Sequence, residues 1–265
     1  MPTTYTHDLF GKKVYRQLPD EMKEVIRKNG NLYRIGLHGP DILFYFMVSK
    51  NPVSTFGVKM HDEKAKAFFE QGMETVRRTG SEALLAYLLG FGCHYLLDST
   101  CHPYVNEMAE KGIVTHTILE KEFDRQLMLE TGRDPFSYYP SDCIVPKMAY
   151  AKTIHKALPL IRTGNILISL RMMKILTNAM VYDDHGRRRK IISRLLSLGG
   201  KKTAEELMEH FMLKNPAPEA AEPMRELHNL FDDAVKEAPG YLEELFTLTE
   251  GAYRLSDRWN RTYNG

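Results

Sequence analysis

With 265 residues, 43% of them hydrophobic and 26% charged, the chain is long enough for one large globular domain of ordinary composition. A formal charge of +2 excludes the strong basic excess of a dedicated nucleic-acid binder, so no nucleic acid is expected as a partner. The most apolar stretch, 158–180, is broken by Arg162, Arg171 and Lys174, which excludes a membrane span.

In chain order, the first segment, Met-Pro-Thr-Thr-Tyr-Thr-His7, lacks a basic start followed by an apolar run. Together with three cysteines, an odd number, this predicts a cytoplasmic protein with reduced thiols. Strand-like alternation is scarce, and the only plausible extended pieces flank Val53 to Val58. From Glu63 to Thr79, Ala65, Phe68, Phe69, Met73 and Val76 recur at three- and four-residue spacings, which predicts an amphipathic helix. Ser81 then reads as the N-cap of a helix from Glu82 to about Ser99, apolar on nearly all sides and therefore central. A further helix is expected over 115–130, ending near Gly132. After a Gly/Pro/Ser/Tyr-rich loop at 133–142 come helices over about 146–157, 164–181, 187–198, 203–213, 219–237 and 240–258. The chain reads as all-α. Residues 1–140 form a metal-bearing region, and 141–265 form a helical C-terminal extension packed on it within one compact domain.

Six of the ten histidines, His7, His38, His61, His94, His102 and His116, lie in the first 116 residues, with Asp41, Asp98 and Glu120 among them. Imidazole and carboxylate donors in that number suit two or three divalent ions, zinc first, with iron or manganese also able to occupy such sites. Residues four apart share a helix face, so His94 with Asp98 and His116 with Glu120 can each converge on one point. With 34 acids in 265 residues, chance gives about one such pair among ten histidines. Three occur, and His228 with Asp232 is the one assigned to chance. Glu120 also has a local reading, because Thr117-Ile-Leu-Glu120 fits a capping box. His94 and Asp98 interrupt an apolar helix, and no Lys or Arg occurs between Arg78 and Lys111 to neutralise a buried carboxylate. His102 follows Asp98 by four residues and precedes Pro103, which places it at the end of that helix facing the same cavity. Cys93 and Cys101, each one residue before a candidate ligand, face the packing instead.

The ordered pattern His7, Gly-x-x-x-Pro-Asp41, His61, His94-x-x-x-Asp98, His102, His116-x-x-x-Glu120 resembles the bacterial zinc-dependent phospholipase C family. That family's all-α multi-helix fold is shared with the S1/P1-type nucleases. The resemblance covers about residues 5–130. It implies a first metal on His61, His94 and Asp98, a second on His102, His116 and Glu120, and a third on His7 with Asp98 bridging. Asp41 is implied as general base or as an additional ligand. Secreted members complete the third site with an N-terminal tryptophan, whereas this chain has Met1 and a single tryptophan, Trp259. His38 and Asp8 are the residues that could compensate.

The implied activity is hydrolysis of a phosphate ester, phospholipid-like or soluble, with Phe44, Tyr45, Phe46 and Phe56 as cleft walls or core. The doublets His7-Asp8 and His61-Asp62 suggest a second reading, an HD-type phosphohydrolase. A third is a non-catalytic helical protein that binds metal or a lipid headgroup. The segment 186–202 holds seven basic residues and no acid between aliphatic ones, a pattern suited to peripheral contact with an anionic membrane or to an ordinary solvated helix face.

Overall fold

The computed structural model describes residues 4–46, 51–180, 187–197, 208–213, 215–251 and 254–265. Among them are α-helices α1 (Thr4–Tyr15), α2 (Asp20–Lys28), α3 (Gly30–Gly36), α4 (Pro52–Asp62), α5 (Ala65–Thr79), α6 (Glu82–Glu110), α7 (His116–Glu130), α8 (Met148–Ala157), α9 (Thr163–Ala179), α10 (Arg187–Ser197) and α11 (Met224–Thr247). Short 3-10 turns cover Gly39–Tyr45, Pro140–Cys143, Pro218–Ala220, Leu248–Glu250 and Asp257–Asn260. No strand occurs among the described residues, and the all-α expectation holds. None of their helices is long and apolar enough to cross a membrane.

Helix α6 is the axis of the fold. Its residues from Leu84 to Ser99 are buried without interruption, which is why its sequence is apolar all round. Ser81 caps it, its hydroxyl accepting from the Leu84 N–H at 3.3 Å. Helix α3 crosses α6 with backbone against backbone. A Cβ at Gly36 would strike the Tyr87 carbonyl, and one at Gly90 would strike that of Tyr33, so only glycine permits this approach. On another side α11 lies along α6, with Leu242 and Leu245 against Gly92.

Three elements depart from the expectation. Residues 53–58 are helical, inside α4, because Asn51 caps the helix: its Oδ1 accepts from Val53 N–H (2.9 Å) and Ser54 N–H (3.1 Å), and Pro52 is pre-set for the first turn. Helix α6 does not end near Ser99 but runs through Pro103 to Glu110. The expected helices at 219–237 and 240–258 are mainly one, α11, running through Pro239. Its buried stripe Leu227, Phe231, Ala234, Ala238, Leu242, Leu245 is continuous, and packing outweighs one missing backbone hydrogen bond. The expected helix at 203–213 lies largely outside the described residues.

Candidate metal centre

Five elements bring eight donor residues together. Helix α1 carries His7, and its first turn is fixed by Asp124 of α7, which accepts from the backbone N–H groups of Tyr5 (3.2 Å) and Thr6 (2.7 Å) and from the Thr6 hydroxyl (2.6 Å). Burial pushes the Asp124 carboxyl up to about 6, against the pull of those hydrogen bonds. The 3-10 turn after Gly39 presents Asp41, α4 presents His61, α6 presents His94, Asp98 and His102, and α7 presents His116 and Glu120. Gly39 adopts φ +46°, and a side chain there would collide with the His94 ring, so the turn seats that imidazole.

Asp98 is the hub. Its Oδ2 lies 3.0 Å from His94 Nε2 and 3.9 Å from His61 Nε2, while its Oδ1 lies 3.3 Å from His7 Nε2 and 3.6 Å from His102 Nε2. Asp41 Oδ1 is 2.9 Å from His61 Nε2, and its Oδ2 is 3.8 Å from His94 Nε2. Glu120 Oε1 lies 3.1 Å from His116 Nε2 and 3.4 Å from His102 Nε2. The donors fall into two groups, His7, Asp41, His94 and Asp98 in one and His102, His116 and Glu120 in the other, each with one ligand atom per residue within 4.8 Å of all the rest. His61 closes on the first group through Asp41.

These separations fit metal ligation. Donors about 2.0–2.1 Å from one tetrahedral zinc sit about 3.3 Å from each other, close to the values found. Hydrogen-bond geometry points the same way. His94 Nε2 stands 3.0 Å from a carboxylate oxygen yet makes no hydrogen bond to it, and its Nδ1 and the Oε2 of Glu120 are buried without partners. His61 Nδ1 lies 2.9 Å from the Gly57 carbonyl, and His116 Nδ1 lies 2.9 Å from Asn106 Oδ1. With Nδ1–H donating, the neutral ring turns the lone pair of Nε2 toward the carboxylates, the orientation a metal needs.

Electrostatics describe a tightly paired cluster. Burial opposes charge on His7, Asp41, His61, Asp98, His102 and Glu120, and the pairing outweighs it. The surrounding histidines, His102 and His94 foremost, hold Asp98 well below the usual carboxylate range. His116 and His102 do the same for Glu120, and His94 and His61 lower Asp41. In return, Asp98 raises His7, Asp41 raises His61, and Asp98 with Glu120 lifts His102 to about 9.

The two compensating residues lie elsewhere. Asp8 is buried but takes a two-pronged contact from Arg34 (2.7 and 2.8 Å) and a further one from Lys12 (2.6 Å), which ties α1 to α3. His38 is fully buried with Nε2 3.3 Å from Cys143 Sγ, and burial pushes its pKa down to about 3, so it stays neutral. Neither belongs to a donor group. Glu120 does not close a capping box with Thr117, because the N-cap is Thr115, whose hydroxyl accepts from the Ile118 N–H. Of the two HD doublets, Asp62 lies exposed in the cleft lining and accepts from Asn264 (3.1 Å), while Asp8 is held by Arg34, and neither aspartate joins a donor group. Cys93 and Cys101 are buried free thiols.

A cleft of about 590 Å³ opens onto both groups. Phe44 lines it and stacks on His61 (centroids 5.2 Å apart), Val58 lines it beside His61, and Tyr45 turns to a separate cavity with Thr4 and Asp124. Phe46 and Phe56 pack against the core. Sequence spacing gave no hint that the last residues of the chain share this wall. Tyr263 is buried against His61 and His94, its N–H donates to the His61 carbonyl (3.1 Å), and Asn264 reaches the cleft. Asn106, likewise missed, is visible only once α6 is known to continue past Pro103.

No curated protein and no solved structure matches the chain. A family model for zinc-dependent phospholipase C matches residues 6–161, a span that holds all eight donors. Buried His/Asp/Glu groups of this kind fit a metal-dependent phosphoesterase. The match covers more than half of the sequence, and the chain belongs to the zinc-dependent phospholipase C family.

Proposed function

We propose that the protein hydrolyses a phosphodiester in the cleft over the two donor groups, with a lipid-borne phosphate as the substrate class. The observation that supports this reading is the Asp98 carboxylate, which faces four imidazoles, two from each oxygen, and so would bridge both groups in one multinuclear centre. When bound, two or three zinc ions would supply Lewis-acid polarisation of the phosphate and an acidified attacking water. His61, His94, Asp41 and Asp98 would hold the first ion, and His102, His116 and Glu120 the second. His7 and Asp98 Oδ1 offer part of a third position.

Asp41 has a second role in this reading. It lines the cleft, is held ionised by its neighbours, and faces the substrate side, so its carboxylate orients the attacking water and takes its proton. Phe44 and Val58 give the cleft an apolar wall beside His61.

Hydrolysis of bis-aryl and phospholipid diesters by the zinc-loaded protein, compared with Asp41→Asn, tests this. The variant is expected to keep at least the second ion and lose activity by about 10²–10⁴-fold in kcat. A zinc-loaded wild type inactive on every phosphate ester would overturn the reading.

A further inference from the structure

The near-neutral total charge conceals a strong segregation. Residues 145–202 contain 13 lysines and arginines against two acids, while the rest of the chain contains 23 against 32. Within the described parts of this segment, 145–180 and 187–197, eleven basic residues stand with no acid at all. An excess of that size on a nearly neutral chain sets up a local positive field that the remainder of the sequence does not share.

The same segment leaves aliphatic side chains in solvent. Met148, Leu160, Ile168, Ile175 and Ile191 are five of the nine large hydrophobic residues exposed on the described surface, with Leu160 at 77%. On α9 the outward row Gly164, Ile168, Arg171, Ile175 recurs at helical spacing, while Ile166, Leu167, Leu170 and Met173 on the opposite side are buried. Helix α10 has no buried residue among those described, and exposes Arg187, Arg189, Lys190, Ile191 and Arg194. Helix α9 also packs on the 39–45 turn that carries Asp41 and Phe44, so the helix that bears this row adjoins an element of the metal cleft.

We infer that the exposed basic and aliphatic side chains of α8, α9 and α10 dock on an anionic lipid bilayer. Basic side chains alone would suit any polyanion. Exposed isoleucine and leucine placed between them select a partner with both an anionic surface and an apolar interior, which a bilayer has and a nucleic acid lacks. The inference deepens the proposed function, resting on a lipid-borne phosphate as substrate, because a protein held at the bilayer would meet that substrate at high local concentration.

The test is flotation of the full-length zinc-loaded protein with vesicles of pure phosphatidylcholine and with vesicles containing phosphatidylserine at 30 mol %, a read-out that needs no catalysis. Binding is expected on the serine-containing vesicles only and should weaken as salt rises. Arg171→Glu with Lys190→Glu should weaken it by roughly twenty-fold or more, and Ile168→Ser with Ile175→Ser should weaken it without changing the salt dependence. Unaltered melting temperature and zinc content would show that the variants fold. Absent or equal partition onto the two vesicle types overturns the inference, even if soluble diesters are cleaved. Binding unaffected by the charge reversal overturns it too. So does binding to RNA with no vesicle partition, or a salt-sensitive dimer in sedimentation that occupies the same residues.

Discussion

The two donor groups use the same chemistry but are held differently. The first, with His61, takes its members from four elements, α1, the 39–45 turn, α4 and α6, and is almost wholly buried; the His94 side chain is 0% exposed. The second comes from α6 and α7, neighbours in sequence joined by a short turn at Gly112, and opens to the cleft mouth, with the His116 side chain 34% exposed. The first therefore depends on the assembled fold, and the second is close to a local helical hairpin. Asp98 lies between them, its Oδ2 facing His94 and His61 and its Oδ1 facing His7 and, in the second group, His102.

The largest expected effect comes from removing that link. Asp98→Ala should take metal from both groups and reduce diester hydrolysis beyond the roughly 100-fold typical of an outer-sphere change. Metal content by mass spectrometry and turnover of a bis-aryl diester would check it. If only one ion were lost, the two groups would be independent and the comparison would need redrawing.

A medium effect concerns protons. Metal requires neutral imidazole, and His102, raised to about 9, is a cation at pH 7.5 in the metal-free protein. Zinc uptake at that pH should release at least about one proton, seen by calorimetry in buffers of different ionisation enthalpy, and release should shrink above pH 9. The sign for metal-free stability follows from the directions. His7, His61 and His102 are raised, so their contribution is complete below the ordinary histidine value of 6.5 and fades as pH climbs through their raised values, about 9 for His102. Asp41, Asp98 and Glu120 are lowered, so theirs is present above the ordinary carboxylate range and fades as acid is added. Chelated protein should melt highest between those limits.

The smallest effect sharpens the contrast. Asn106→Leu removes the acceptor for His116 Nδ1 and touches only the second group. It should weaken the second ion about tenfold, making it the first lost in a chelator titration, with the first ion unaffected. Equal loss from both groups would mean that the hairpin is not a separate unit.

The sequence alone determined the fold class and pointed to most of the candidate donors. Helical periodicity marks α5 and α6, and a carboxylate and a histidine inside an otherwise apolar helix identify His94 and Asp98, because burying such groups without partners is costly. His61 was legible by its place in the ordered pattern, although its helix was read as extended. The tertiary structure alone decided the rest. Asp8 and His38 look like spare ligands in the sequence, yet α3 brings Arg34 to one and the loop at 140–143 brings Cys143 to the other. Tyr263, packed behind His61, and Asn264, in the cleft lining, lie some 200 residues from His61 and reach it only because residues 261–264 pack beside α4. Helices α6 and α11 run through their prolines because packing along a buried stripe outweighs one lost hydrogen bond. Spacing along a helix reports which side chains share a face; which face meets which, and which charges find partners on the way, depends on contacts between residues far apart in the chain.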